Sequence, residues 1–596
     1  MALPIEDYAL LGDTETAALV GRDGSIDWLC LPRFDSASCF TALLGTPEHG
    51  RWLIGPTDDG CESSWSYIAN TFVLETVHRG PNGAVKVTDL MPVADGRADV
   101  VRRIEGLSGT LRMRHEWVAR FGYGKVKPWV TRRSDEEGHE VISAIAGPDM
   151  LVLRGTRLPS AVDHRHADEF DVNEGDVLTF TTTWFPSWRS IPPLLDVDER
   201  IAHTVSWTQD WASTCTYDGK YRDAVVRSLL VLRLLTHMET GGIVAAPTTS
   251  LPESFGGSRN WDYRFCWLRD AALTLQALLS AGYDEEAMLW RGWLLRAIAG
   301  DPQDLQIMYT VDGGRHLPEQ ELAHLPGFAN SRPVRIGNGA VSQRQGDVLG
   351  TVMLALALTR DAQGPDKDSW ALQRVLVNEL VESWRRPDQG LWEIRGPQRR
   401  FTQSRVMAWT AFDRAVTAAE RYGFRGDVDA WRKSRDEVRA EILELGFHKT
   451  RNTFVQHYDT DEVDAALLLI PMVGFLPGDD PRVLGTIAAI ESDLNRDGFV
   501  MRYRPETGVD GIDEDEHPFL ACSFWLVGAY AHAGRLDDAH ELMDRLVAIS
   551  NDLGLLAEEY DPVGRRMAGN YPQAFSHLAL VRAAMAIDEA ERGGLG

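Results

Sequence analysis

The chain has 596 residues, of which 44% are hydrophobic and 25% are charged, so its composition is that of a globular protein too long for one compact core. Its formal net charge of −27 disfavours a nucleic-acid or anionic-membrane partner, because phosphate binding depends on Lys and Arg displacing counterions. We therefore expect two or more domains and a small neutral partner such as a sugar.

The sequence also predicts where the protein resides. No apolar run reaches the roughly 20 residues that cross a bilayer, and the first seven residues lack a basic start followed by an apolar stretch. The six cysteines have neither CxxC nor CxH spacing, which argues against a zinc site and against a dithiol redox motif. Most of them are expected to be small buried hydrophobes in a reducing compartment. The predicted location is cytoplasmic, without a membrane partner.

From residue 1 to about 210 the sequence is typical of β-strands. Segments 73–78, 111–117 and 177–184 alternate in polarity or are β-branched, and Gly, Pro and Asp separate them. This pattern predicts an antiparallel β-sandwich. We place its boundary at residue 215, so residues 1–215 would form the N-terminal domain and residues 216–596 the second domain.

After the stretch from Trp207 to Tyr221, apolar residues recur at helical spacing. Gly, Pro or an Asp-rich turn closes each of twelve predicted helices. They begin near Tyr221, Leu268, Asp284, Asp347, Lys367, Ser404, Gly426, Asp461, Asp480, Pro518, Leu536 and Pro572. Twelve comparable helices in series predict an all-α (α/α)6 barrel, although an open helical solenoid would give a similar pattern.

Two short carboxylate-bearing segments, 391–396 and 556–561, lie about 165 residues apart in this helical half. Hydrolysis of a glycosidic bond with inversion needs one carboxylic acid to protonate the leaving oxygen and one carboxylate to activate water. The two segments have the residues for such a pair. Long loops rich in Trp, Tyr, Arg, Asp and Glu, at 243–267, 307–345 and 388–402, are where binding groups usually lie on a helical scaffold.

Three motifs carry a resemblance to a known family. They are the segment 260–270, Leu391-Trp392-Glu393, and Glu558-Glu559-Tyr560-Asp561 followed by 570–577. In this order they resemble glycoside hydrolase family 15, the glucoamylase and bacterial trehalase group, over nearly the whole chain. Segments 5–13 and 24–33 resemble the trehalase-like N-terminal domain of bacterial members.

The resemblance implies roles for individual residues. Glu393 matches the general acid, which protonates the glycosidic oxygen and needs a raised pKa. Glu558 matches the general base, with its neighbour Glu559 as the alternative, since successive residues point in different directions. Arg269 and Asp270 match the pair that binds hydroxyl groups of the terminal glucose.

Further residues are assigned to substrate binding. They are Arg335, Asp347, Arg502, Glu559, Trp267, Trp392 and Tyr309. The arginines and Asp347 lie where the family places residues that border the site or contact the sugar, and aromatic rings could stack on sugar faces. No metal is expected, because the acidic run 513–517 is interpreted as solvated rather than as a Mg²⁺ or Ca²⁺ site.

The expected activity is that of an inverting, exo-acting α-glucoside hydrolase that releases β-glucose, without a cofactor, and trehalose is the favoured substrate. Glucoamylase-like or isomaltase-like hydrolysis of short α-glucans is the alternative. A disaccharide phosphorylase is less favoured, because it would need no carboxylate at Glu558. A non-catalytic sugar-binding protein is also less favoured. The sequence leaves open the preferred linkage and whether the chain forms a homo-oligomer.

Overall fold

The computed structural model describes residues 2–364, 366–512 and 514–593. Its N-terminal part is built of β-strands. They are β1 (Tyr8–Gly12), β2 (Ala17–Gly21), β3 (Ser25–Cys30), β4 (Ser38–Phe40), β5 (Arg51–Pro56), β6 (Glu62–Tyr67), β7 (Leu74–Gly80), β8 (Gly83–Leu90), β9 (Ala98–Val118), β10 (Trp129–Ser134), β11 (Glu140–Ala146), β12 (Asp149–Gly155), β13 (Ser160–Val162), β14 (Arg165–Asn173) and β15 (Val177–Pro186).

The long strand β9 belongs to two antiparallel sheets. Its first half pairs with β8 and β15, and its second half pairs with β5 and β14. One sheet therefore has the order β6-β7-β8-β9-β15-β12-β11-β10, and the other has the order β1-β2-β3-β5-β9-β14-β13. The sheets pack face to face, since the ring of Phe180 lies 4.7 Å from that of His115 and 6.1 Å from that of Phe170 across the interface. The predicted antiparallel sandwich is confirmed.

The first helix, α1 (Val197–Ser213), lies partly in the stretch that we predicted to be β-like. Asp196 caps this helix, because its side chain accepts a hydrogen bond of 3.0 Å from the backbone N–H of Glu199. Val197 packs on the sandwich at Val73. The prediction for this stretch was wrong, although an Asp followed three residues later by a Glu is a known helix-start signal.

The remaining α-helices follow the predicted series. They are α2 (Arg222–Leu234), α3 (Leu268–Ser280), α4 (Asp284–Ala297), α5 (Val348–Gln363), α6 (Lys367–Ser383), α7 (Thr402–Tyr422), α8 (Val428–Leu445), α9 (Leu469–Met472), α10 (Pro481–Asp493), α11 (Leu520–His532), α12 (Leu536–Ala548) and α13 (Ala574–Glu591). All but α9 begin within two residues of the predicted start. The α9 region is a 3-10 turn at Ala465–Leu468 and one short helix, since Pro471 and Gly474 prevent its continuation.

Short two- and three-residue strands form ladders in the loops between helices. They are β16 (Cys266–Trp267), β17 (Met308–Tyr309), β18 (Gln320–Glu321), β19 (Arg335–Ile336), β20 (Phe447–His448), β21 (Thr453–Phe454), β22 (Asn495–Arg496), β23 (Phe499–Val500), β24 (Glu559–Asp561) and β25 (Arg566–Ala568). Each pairs with its neighbour in this series as an antiparallel ladder, so the long loops have a defined backbone.

Alternate helices form a closed inner ring. Helix α3 contacts α5, α5 contacts α7, α7 contacts α9, α9 contacts α11, α11 contacts α13, and α13 contacts α3. The helices between them pack outside this ring. Because the first and last inner helices meet, the open solenoid is excluded. The predicted (α/α)6 barrel is confirmed.

The sandwich is bound to a loop that leads into the inner ring. Trp28 donates its indole N–H to the carbonyl of Pro247 at 2.8 Å. Buried Arg264 forms an ion pair with Asp262 at 2.6 Å and donates to the carbonyl of Ser36 in the sandwich at 2.8 Å. The N-terminal domain therefore holds the segment that precedes α3.

Three other predictions concern the chain as a whole. The six cysteines are free thiols and five of them are buried, as predicted for most of them. Within the part of the chain that the structure describes, no helix combines the length and the apolar character needed to cross a bilayer. The domain boundary at residue 215 stays a prediction, and α1 ends two residues before it.

Candidate active site

A cavity opens at the N-terminal ends of the inner helices. Trp267, Arg269 and Asp270 reach it from the start of α3, Phe519 from the residue before α11, and Phe575 from the first turn of α13. Helix N-termini carry unpaired N–H groups and a positive partial charge, so this end of the barrel favours polar and anionic groups.

The cavity wall contains seven of the eleven predicted site residues. The described residues that line it are Ala245, Glu253, Arg259, Trp261, Tyr263, Trp267, Arg269, Asp270, Asn338, Ala340, Leu391, Trp392, Glu393, Ile394, Arg395, Arg502, Tyr503, Asp510, Ile512, Phe519, Glu558, Gln573 and Phe575. Arg335, Asp347, Glu559 and Tyr309 are absent from this wall.

Glu393 projects into the cavity from a strained turn. Its φ of 58° is left-handed, which is uncommon for a residue other than glycine and often marks a functional position. Its Oε1 accepts a hydrogen bond of 2.6 Å from the indole N–H of Trp267, and Gln343 donates to its backbone carbonyl at 3.0 Å. These contacts hold the side chain in one orientation.

The surroundings of Glu393 favour its protonated form. Burial raises the pKa of this carboxyl, and the negative charge of Asp270 raises it further. The guanidinium of Arg269, whose Nη2 lies 3.6 Å from Oε1, and the hydrogen bond from Trp267 act in the opposite direction. Arg395, two residues further along the chain, donates to Glu319 at 2.9 Å. A carboxyl whose pKa is raised keeps its proton to higher pH, which suits a general acid.

Glu558 faces the same cavity from the segment that leads into β24. Its backbone N–H donates to the carbonyl of Asn570 at 3.1 Å, and the N–H of Asn570 donates to Oε2 of Glu558 at 3.2 Å. Burial and the charge of Glu253 raise the pKa of Glu558, whereas Arg502 lowers it. The backbone N–H of Asn570 therefore fixes the side chain, whose pKa is raised by its surroundings.

Glu559 points away from the cavity. It opens strand β24, where successive side chains lie on opposite faces, and it is fully buried. The backbone N–H of His517 donates to its Oε2 at 3.2 Å, and Nη2 of Arg502 lies 3.5 Å from its Oε1. Of the two adjacent carboxyls, Glu558 is the one that borders the cavity.

Arg269 and Asp270 form a buried pair on the cavity wall. Nε of Arg269 donates to Oδ1 of Asp270 at 2.7 Å, and its Nη1 donates to the carbonyl of Leu391 at 2.8 Å. The pair therefore connects the start of α3 to the segment that carries Glu393. Fixed donors and acceptors of this kind suit the hydroxyl groups of a hexose.

Three predicted binding residues lie behind the wall. Asp347 is fully buried at the start of α5, and burial raises its pKa to about 6. Tyr309 is fully buried in the β16–β17 ladder, packed against Trp293. Nη1 of Arg335 donates to the carbonyl of Ser258 at 2.7 Å. These side chains were assigned from their place in the sequence, which does not give their direction.

The predicted aromatic residues Trp267 and Trp392 both border the cavity. Trp392 packs among Tyr503, Phe519 and Trp525 at ring-centroid distances of 6.4, 6.1 and 5.7 Å. It therefore belongs to an aromatic wall rather than standing alone, and its ring is held in place on the cavity side of that wall.

A buried group of charges lies beside Glu558. Arg502 donates to Glu253 at 2.8 Å and to both oxygens of Glu516 at 3.0 and 2.6 Å. Nη1 of Arg259 lies 3.1 Å from Glu516. Oxygens of Glu253, Glu516 and Glu559 come within 4.8 Å of one another, but the guanidinium of Arg502 already supplies the positive charge that a metal ion would bring there.

The acidic run 513–517 was predicted to be solvated, and this was wrong for Glu516. Glu516 is 1% exposed and bound to Arg502, whereas Asp515 is exposed and pairs with Arg496 at 3.0 Å. Asp513 lies outside the described residues. The run therefore turns inward at one residue, because two buried arginines need carboxylate partners.

Sequence reasoning missed several charged residues of the wall, namely Glu253, Arg259 and Asp510. Glu253 and Arg259 lie in the long loop 243–267 and Asp510 lies in the loop before α11, so no single motif joins the three. In contrast, Trp261 and Phe575 lie inside the segments 260–270 and 570–577, so their motifs had already marked that part of the wall.

Residues 219–585 match the family model for glycosyl hydrolases family 15, and residues 1–169 match the model described as trehalase-like, N-terminal. The trehalase of Mycobacterium tuberculosis is 35% identical, with 99% of this chain and 90% of that protein covered. The trehalase of Mycolicibacterium smegmatis is 36% identical, with 99% and 92% covered. The trehalase of Thermoplasma volcanium is 34% identical, with 98% and 94% covered.

A solved structure is similar over the same length. The crystal structure of bacterial glucoamylase complexed with acarbose superposes with a TM-score of 0.74 at 12% sequence identity, covering 98% of this chain and 94% of that one. At this level of identity the likeness concerns the fold, the sandwich followed by the helical barrel.

Proposed function

Since this chain belongs to glycosyl hydrolases family 15, and is thus a glycoside hydrolase, we propose that it hydrolyses trehalose to two molecules of glucose with inversion at the attacked carbon. The observation that carries this proposal is the full-length similarity to proteins named trehalase, at 34–36% identity over at least 98% of this chain. Hydrolysis of short α-glucans is the alternative within the same family.

The geometry of the cavity supports an acid/base pair. Glu393 and Glu558 reach one cavity from segments far apart in the sequence, and each is held by a hydrogen bond. In our proposal Glu393 protonates the glycosidic oxygen while Glu558 takes a proton from the attacking water. Arg269 and Asp270 would bind the hydroxyl groups of the glucose that is attacked, and Arg502 would support Glu558 electrostatically.

This mechanism needs opposite protonation states in two buried carboxyls. The charge of Asp270 helps to keep the proton on Glu393, and Arg502 helps Glu558 to lose its own. Each carboxyl also has a charge of the opposite effect beside it, Arg269 beside Glu393 and Glu253 beside Glu558. In our proposal the assignment of acid and base therefore depends on the match of Glu393 and Glu558 to the family motifs.

Glucose release from trehalose, maltose, isomaltose and maltoheptaose, followed by proton NMR of the nascent sugar, tests the proposal. Inversion releases the attacked ring of trehalose as β-glucose and the other ring as α-glucose, so we expect equal amounts of the two anomers at first. Retention would give α-glucose alone and would contradict the mechanism. Faster release from maltose or maltoheptaose than from trehalose would favour the short-glucan alternative.

Glu253→Gln is expected to shift the pH dependence of the rate. The negative charge of Glu253 raises the pKa of Glu558, so its removal lowers that pKa and leaves the base ionised at lower pH. The acid limb of kcat/KM should therefore move to lower pH. The alkaline limb, set by Glu393, should stay in place, and an acid limb that is unmoved or moves upward would contradict this electrostatic coupling.

We also propose a cytosolic location, which the six free thiols support. Thiols that persist without pairing are typical of a reducing compartment. Fractionation of the native host, with activity on trehalose as the marker, tests this.

A further inference from the structure

The open side of the cavity is built by charged residues around one indole ring. Trp261 and Arg395 line the cavity there, and the Arg395 side chain is 36% exposed, whereas that of Arg269 on the inner wall is 9% exposed. This difference in exposure identifies the mouth of the cavity. We call Trp261, Glu319, Arg335 and Arg395 the mouth cluster.

Two guanidinium groups lie over the ring of Trp261. That of Arg395 is 4.1 Å from the ring centroid and that of Arg335 is 4.5 Å from it. Arg335 also donates to the carbonyls of Ser258 at 2.7 Å and Asn260 at 3.2 Å. Arg335 is not part of the cavity wall, so its role is to hold the ring of Trp261 in place. Arg395 is the member that faces the cavity.

Glu319 fixes the direction of Arg395. Its Oε2 accepts from Nη2 at 2.9 Å and its Oε1 from Nη1 at 3.4 Å, while Oε2 also accepts from the backbone N–H of Gly339 at 3.0 Å. Although burial opposes ionisation, the hydrogen bonds from Arg395 and Gly339 lower the pKa of Glu319, so it remains a carboxylate at neutral pH. Glu319 takes two of the five N–H donors of Arg395, which leaves three for other acceptors.

The mouth cluster is tied to the segment of the general base. The side-chain amide of Asn570 donates to the carbonyl of Trp261 at 3.0 Å, and the backbone N–H of Asn570 donates to Oε2 of Glu558 at 3.2 Å. Arg395 is itself two residues from Glu393 and donates its backbone N–H to the carbonyl of Asp510 at 3.1 Å. The cluster thus has a fixed position relative to both proposed catalytic carboxyls.

From this arrangement we propose that the mouth cluster binds the second sugar ring of the substrate, the ring that departs when the glycosidic bond breaks. This inference rests on the proposed hydrolysis of a disaccharide. A pyranose ring has apolar C–H faces and a rim of hydroxyl groups, so an indole beside a guanidinium matches both surfaces. Trp261 and Arg395 contact the departing ring, and Glu319 is a positioning residue that acts through Arg395.

The test compares a substrate that has a second ring with one that has none. In α-glucosyl fluoride the leaving group is a fluoride ion, which cannot reach the mouth cluster. Arg395→Ala is expected to lower kcat/KM for trehalose by about 10- to 100-fold, the usual effect of losing hydrogen bonds to a charged group. Its kcat/KM for α-glucosyl fluoride should stay within about threefold of wild type.

Glu319→Gln is the second variant, since it keeps the shape of the side chain and removes its charge. This variant should raise KM for trehalose, because Glu319 acts only through the direction of Arg395. Both kcat and KM for α-glucosyl fluoride should stay unchanged. A purely structural role of Glu319 would lower the rate on both substrates alike.

Arg22→Ala is the matched control. Arg22 lies over the ring of Trp65 at 4.2 Å and pairs with Asp7 and Asp552, and its side chain is 32% exposed, so it has the same kinds of partner far from the cavity. It should leave both substrates unaffected, which would exclude a general effect of losing a stacked arginine.

The outcomes separate the inference from the proposed function. If wild type cleaves maltose or isomaltose instead of trehalose, the proposed substrate is wrong, and the same comparison made with the cleaved disaccharide still tests the mouth cluster. Equal losses on the disaccharide and on α-glucosyl fluoride would overturn the inference. So would a wild type that hydrolyses α-glucosyl fluoride but no disaccharide.

Discussion

Glu393→Gln is expected to lower kcat for trehalose by about 10²- to 10⁴-fold and to leave the hydrolysis of α-glucosyl fluoride nearly intact. A sugar leaving group needs a proton at its oxygen, whereas fluoride departs with little protonation. The amide of glutamine cannot donate that proton as an acid does. Its oxygen can still accept the hydrogen bond that Trp267 now donates at 2.6 Å, so the wall should keep its shape.

The measurement is kcat on both substrates, with the pH profile on trehalose. The alkaline limb of kcat/KM should disappear in Glu393→Gln, because the group that must keep its proton is gone. An unchanged thermal unfolding midpoint would show that the variant is folded. A loss of the same size on α-glucosyl fluoride would contradict the assignment of Glu393 as the acid.

Glu558→Gln is expected to lower kcat on both trehalose and α-glucosyl fluoride by about 10²- to 10⁴-fold. Either substrate needs an activated water, whatever group departs. Glutamine retains an oxygen that can accept from the N–H of Asn570, now at 3.2 Å, and loses only the ability to take the proton from water. Glu393→Gln should therefore still hydrolyse α-glucosyl fluoride, whereas Glu558→Gln should not.

Glu559→Gln is the control for Glu558, because the two carboxyls are adjacent and only Glu558 borders the cavity. We expect Glu559→Gln to retain most of the activity at its optimal pH, since the variant can still accept from the N–H of His517. If Glu559→Gln were inactive and Glu558→Gln active, the base would be Glu559 and our reading of the strand would be wrong.

The local sequence predicted most of the helices and strands. Helix starts could be predicted because a capping residue and the apolar spacing after it lie within a few positions, as at Asp427 before α8 and Asp480 before α10. The α9 region and α1 show where this fails. A Pro inside a short apolar stretch shortened one helix, and a β-like context hid the start of the other, although Asp196 and Glu199 carried the signal.

The sequence by itself determined which motifs meet at the cavity, because Glu393, Arg269 and Asp270 lie in short segments whose order and composition match a family. It could not determine which side chains face the substrate. Adjacent Glu558 and Glu559 differ only in the face of the strand that they occupy, and Arg335 lies behind Trp261 instead of in the wall.

Only the tertiary structure decided the electrostatics of the site. Glu253 lies in the loop before α3, and Arg502 and Glu516 lie in the loop before α11, yet the three share hydrogen bonds beside Glu558. Charge interactions depend on distance and burial, and neither can be read from the spacing of residues along the chain. The chemistry was therefore recognisable in the sequence, whereas the pKa values and the contacts of the departing ring depend on how the loops pack.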